Sequence, residues 1–90
     1  MQITKPELHS FVADTLRDRL SALGVLGDEI DDDFDFFISG LLDSFGFIDL
    51  LLDIERRYHV ELNLDNVNPE VLSTFGSLAR WLEENTKAHG

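Results

Sequence analysis

Apolar residues recur at spacings of three and four in three separate segments of this chain, a period that allows little besides helices packed on one another. In the first segment Leu8, Phe11, Val12, Leu16, Leu20 and Leu23 make one face. Thr4-Lys5-Pro6-Glu7 opens it as a capping box, with Thr4 as N-cap, Glu7 three residues on and proline in the first turn. Gly24 supplies the stop, since glycine accepts the left-handed conformation that ends helices. The second segment predicts a helix from about Ser44 to Tyr58, with Phe47, Leu50, Leu51, Ile54 and Tyr58 facing the core. The third starts at Ser73 or Thr74 and carries Leu78, Trp81 and Leu82 as its stripe. Lys87 and His89 fall near its end, where positive charge is favoured.

The connections differ in kind. Val25 to Asp43 holds Asp31, Asp32, Asp33 and Asp35, which favour turns and caps over helix interiors. It also holds Ile30, Phe34, Phe36, Phe37, Leu41 and Leu42, more large apolar groups than a solvated linker carries. An ordered loop folded back onto the helices is expected, with room for a short helical turn. Val60 to Leu64 could pass for a strand but has no partner, so an irregular connection is expected. Asn68-Pro69-Glu70 predicts the cap and first turn of a short helix through about Leu72. The fold class expected is therefore all-α, a four-helix bundle of three longer helices and one short one. It has a long structured first loop and a single domain over residues 1–90.

Composition narrows the function. With 90 residues the chain buries only about 60% of the surface its unfolded form exposes, and few catalytic pockets fit so thin a core. A platform or adaptor is the starting expectation. There is no cysteine, which excludes disulfides, thiolate metal sites and cysteine nucleophiles, so any thiol has to be added to the chain. Met1 to Ser10 lacks the basic and apolar regions of a signal peptide, and no apolar run approaches the roughly 20 residues of a membrane span. A soluble, cytoplasmic protein is expected. The net charge of -11, from 18 acidic and 7 basic residues, repels nucleic acid and anionic lipid and draws basic partners in a salt-dependent way. The plainer account of that charge is solubility alone.

Chemistry concentrates in Gly40-Leu41-Leu42-Asp43-Ser44-Phe45-Gly46-Phe47, which puts a serine at a helix start after an aspartate and before a large apolar residue. Taken alone, Asp43-Ser44 is a helix cap. Together with the charge, the length, the helix order and the long first loop, it resembles the acyl carrier protein family. That family's signature is Asp-Ser-Leu or a close variant at the start of its second helix. The resemblance runs from about Ile3 to Glu84 and includes Glu55, Tyr58 and the expected short helix.

The resemblance implies that Ser44 receives 4'-phosphopantetheine from coenzyme A. The group becomes a covalent cofactor whose thiol carries an acyl or aminoacyl thioester. A helix N-terminus suits a phosphodiester, because free N–H groups and the helix dipole both favour an anion there. A flexible tether raises the cargo's effective concentration at a docked enzyme. The implied partners are a phosphopantetheinyl transferase, an adenylating ligase or acyltransferase that loads cargo, and a downstream transferase or synthase. Nucleic acid and membrane insertion are not expected, and the chain is expected to be a monomer without catalytic residues.

The same resemblance assigns a recognition strip to Asp43, Phe45, Ile48, Asp49, Leu52, Glu55 and Arg56, in which apolar contacts are ringed by carboxylates that meet Arg and Lys of partners. Asp53 lies a little further round. The plainer account packs Ile48 and Leu52 under the first loop. Two residues depart from fatty-acid-synthesis carriers: Arg56 and Arg57 stand where those usually hold acids, and Gly46 where they more often hold a charge. Repulsion at the arginines is a way to select partners. Asp-Ser-apolar-Gly is closer to stand-alone D-alanyl and other aminoacyl carriers, and to specialised-metabolism carriers. A stand-alone aminoacyl carrier in natural-product or other specialised biosynthesis is therefore expected. The alternatives are a housekeeping fatty-acid carrier and an unmodified acidic helical adaptor.

Other patterns fall short. Asp31, Asp33 and Asp35 match the first ligands of a calcium loop, but Phe36 and Leu42 stand where glycine and glutamate are required. His9, His59 and His89 lack ligand spacing and read as surface or helix-end residues. A triad built on Ser44 would need a fixed base and an oxyanion hole that the sequence does not supply. No glycine-rich phosphate loop is present, and Trp81 reads as core.

Overall fold

The first helix opens where its capping box is complete. Thr4 Oγ1 accepts from the Glu7 backbone at 3.3 Å, and Glu7 Oε1 in turn accepts from Thr4 N–H at 3.4 Å. A computed structural model describes residues 3–62 and 64–86 of the chain. Among the described residues it contains helices α1 (Lys5–Thr15), α2 (Arg17–Leu23), α3 (Ser44–Tyr58) and α4 (Phe75–Thr86) and no sheet. The expected all-α four-helix architecture is present, but the short helix is not where Asn68 predicted it. Asn68 does cap, accepting from Glu70 N–H at 3.0 Å, yet only Val71 and Leu72 bond back to its carbonyl, making one turn. The short helix is instead α2, split from α1 at Leu16 (φ -104°, ψ 19°). Asp14 and Thr15, both weak helix formers, precede the break. Gly24 ends α2 at φ 71°, with Val25 N–H closing onto Leu20 O at 2.9 Å.

The first loop is ordered, as its apolar content required. Ile30, Phe36, Leu41 and Leu42 are buried, and Phe34 and Phe37 pack against them. Phe36 and Phe37 meet Phe47 of α3 with ring centroids 6.1 and 5.5 Å apart. Backbone bonds stitch this loop to the start of α4: Phe36 N to Ser73 O at 2.8 Å, Phe75 N to Phe34 O at 2.9 Å and Gly76 N to Asp32 O at 3.0 Å. The approach is so close that a Cβ on residue 76 would lie 2.9 Å from Asp32 O, so only glycine fits.

Two of the loop's acids serve its own turns, while Asp32 pairs with Lys5 of α1 at 2.7 Å. Asp35 Oδ1 accepts from Phe37 and Ile38 N–H, both at 2.8 Å, and Asp31 Oδ1 accepts from Asp33 N–H. The Ile38 N–H, helped by that of Phe37 and opposed by partial burial, holds the Asp35 carboxyl below its ordinary value of 3.8.

Thr74 immediately precedes helix α4, and its Oγ1 accepts from Ser77 N–H at 3.2 Å. The helix buries Phe75, Leu78, Ala79 and Leu82 and half-buries Trp81. Lys87 and His89 lie outside the described residues. His9 departs from its surface reading: it is half-buried, its edge meets the Phe75 ring, and its Nε2 lies 2.8 Å from Gly27 O. A carbonyl can only accept, so Nε2 carries the proton. His59 ends α3 in the left-handed region at φ 56°. Among the described residues no helix is long and apolar enough to cross a membrane.

Candidate functional site

Asp43 holds the N-cap of α3, where its Oδ1 accepts the Gly46 N–H at 2.7 Å. Ser44 is therefore the first helical residue rather than the cap, and its hydroxyl is released from capping. It is exposed and makes no hydrogen bond among the described residues. The N–H groups of Ser44 and Phe45 also lack partners among those residues, as expected at a helix start. Behind this turn Leu41, Leu42 and Phe47 are buried, so the serine is presented on a rigid base. A free hydroxyl, two free N–H donors and the positive end of a 15-residue helix fit an ester-linked anion.

The strip residues do not share one condition. Phe45 is 84% exposed and Leu52 37% exposed, whereas Ile48 is half-buried against the core. Asp49 is exposed, and its carboxylate makes no hydrogen bond or ion pair among the described residues. Glu55 differs. It is half-buried, and its Oε2 accepts the Leu62 N–H at 2.8 Å. Its carboxylate closes the turn after α3 and is not a free rim charge. Arg56 pairs with Asp53 one turn back, and Arg57 lies 5.7 Å from the Tyr58 ring centroid. The arginines thus interrupt the acidic face while meeting groups of their own helix.

Two features of the site lay beyond sequence reasoning. Arg19 of α2 reaches the end of the first loop, just before α3, where its Nη1 donates to Leu41 O at 3.4 Å. Gly46 has a steric reason: a Cβ there would lie 3.2 Å from Asp43 Oδ1, 3.2 Å from Leu42 Cδ2 and 3.5 Å from Arg19 Nη1. Nothing local reveals Arg19, because its partner is 22 residues away. Gly46 itself was legible as a departure.

Comparison with known proteins gives one consistent picture. The family model described as "Phosphopantetheine attachment site" matches residues 14–82. The D-alanyl carrier protein of Leuconostoc citreum is 38% identical over 52 residues, covering 56% of this chain and 67% of the relative. Those of Leuconostoc mesenteroides and Bacillus subtilis are each 36% identical over 52 residues, covering 56% and 58% of this chain and 67% of each relative.

Proposed function

The chain belongs to the phosphopantetheine attachment site family, a family of carriers and not of catalysts, and from that premise we propose that Ser44 is its attachment point. The observation carrying this reading is the Ser44 hydroxyl. It is exposed and unbonded at the first position of α3, because Asp43 caps the helix in its place. A transferase would move the arm from coenzyme A: Ser44 Oγ bonds to the phosphorus of the arm as the pyrophosphate bond breaks, adenosine 3',5'-bisphosphate leaves, and the hydroxyl proton passes to solvent. The arm supplies the thiol that the cysteine-free chain lacks, and holds cargo as a thioester.

The chain's own residues present that arm. Leu41, Leu42 and Phe47 fix the turn, and Asp43 keeps the hydroxyl free. Exposed Phe45, Leu52 and Asp49 offer mixed apolar and acidic contacts to a loading ligase or acyltransferase and to a downstream transferase or synthase. The cargo we favour is an aminoacyl group, carried by a stand-alone monomer in the cytoplasm for natural-product or other specialised biosynthesis. Similarity to D-alanyl carrier proteins, the glycine at 46 and the arginines at 56 and 57 support it.

The test is mass spectrometry after incubation with coenzyme A and a broad-specificity phosphopantetheinyl transferase. The wild type should gain one phosphopantetheinyl group, and Ser44→Ala none. A wild type left unmodified while a control carrier is modified would sink the proposal. For the cargo, adenylating ligases with amino acids and with fatty acids are offered to the modified protein. Loading by the fatty-acid ligase alone would refute the aminoacyl reading.

A further inference from the structure

Arg19 stands in an electrostatically odd place. Its Nη1 is 3.4 Å from Leu41 O and 3.5 Å from the point where a side chain on Gly46 would begin. Leu41 is three residues before Ser44 and Gly46 two after it, so the guanidinium lies beside the turn that carries the serine. Among the described residues no carboxylate forms an ion pair with it. Asp43 caps the helix through its Oδ1, which accepts the Gly46 N–H, and forms no ion pair with Arg19. The positive end of a helix repels a cation. Here an unpaired cation and that positive end are held together on a chain whose net charge is -11.

An anion at this turn would satisfy both. We propose that Arg19 is a positioning residue for the phosphate attached at Ser44. It donates guanidinium N–H to a non-bridging phosphate oxygen and so sets the direction in which the arm leaves the bundle. Charge-assisted bonds from guanidinium to phosphate are short and directional. Gly46 leaves space beside the guanidinium, since a Cβ there would already be in van der Waals contact with Arg19 Nη1 at 3.5 Å. The inference rests on the Ser44 reading and extends it to a second helix.

The experiment uses the full chain as wild type, Arg19→Gln and Arg19→Lys, each before and after modification, with completeness read by mass. In the wild type, modification should raise Tm by about 3 °C and shift the Arg19 Nε–H resonance, with the shift shrinking as salt is raised. The gain in Tm should vanish in Arg19→Gln and return in part in Arg19→Lys. Equal gains in all three proteins, or an unmoved resonance, overturn the proposal. So does an Arg19→Gln protein that is modified more slowly but gains the same stability, because Arg19 would then serve the transferase. If the wild type takes up no group while a control carrier does, the Ser44 reading itself has failed and this inference goes with it.

Discussion

Replacing Glu55 separates structure from recognition at one carboxylate. Its Oε2 accepts the Leu62 N–H at 2.8 Å, and Leu62 is only 7% exposed. Glu55→Ala strands that donor, at a cost of about 1–3 kcal/mol. The carboxylate also sits in the last turn of α3, where the dipole disfavours negative charge, so its removal returns about 0.3–1 kcal/mol. The net loss expected is about 1–2 kcal/mol, and in a domain of this size Tm then falls by about 5–15 °C. Glu55→Gln keeps an acceptor oxygen and should cost less than half as much. Asp49, whose carboxylate has no partner among the described residues, is the control: Asp49→Ala should stay within about 0.5 kcal/mol of wild type. Urea unfolding followed by circular dichroism measures all three. If Glu55→Ala unfolds at the wild-type midpoint, the Leu62 bond contributes nothing and Glu55 returns to being a surface charge. Loading kinetics complete the separation: Asp49→Lys should slow loading at low salt without loss of fold, and Glu55→Lys should do so only together with a loss of stability.

Two further expectations concern the first loop. Because the Ile38 and Phe37 N–H groups hold the Asp35 carboxyl below its ordinary 3.8, the unfolded chain binds the proton more readily. The stability from this group is therefore full above that value and lost as pH falls through the folded pKa. Urea midpoints between about pH 5 and pH 2.5 should decline less steeply in Asp35→Asn than in wild type, and parallel declines would refute the assignment. Gly76→Ala should lower the urea midpoint by about 1–2 kcal/mol in stability although alanine is the better helix former, because its Cβ would strike the Asp32 backbone. A raised midpoint would contradict that packing.

What the sequence made legible follows the range of the interactions. Helix α3 was readable at both ends because its cap, its apolar period and its boundary all lie within the segment. The burial of Ile30, Phe36, Leu41 and Leu42 was readable from their number alone. The break at Leu16 was not, since the apolar spacing runs through it unchanged. The turn at Asn68 carried a true cap signal, but a cap satisfies the same N–H groups whether one turn follows or several. Glu55 looked like a rim charge because its partner is a backbone N–H seven residues on, and a backbone donor leaves no mark in a sequence. Arg19 and His9 were missed for the same reason, their acceptors being the Leu41 and Gly27 carbonyls.

The three backbone bonds joining Asp32, Phe34 and Phe36 to Ser73, Phe75 and Gly76 have a kinetic consequence. They close a span of about forty residues, and loop closure of that length is met late in folding. During synthesis the loop leading to Ser44 cannot take its final form until the start of α4 has left the ribosome. Until then the serine is present but not yet displayed on its finished turn. On the proposed reading, an enzyme that recognises the folded surface around Ser44 would find that turn finished only once the start of α4 is available to close it.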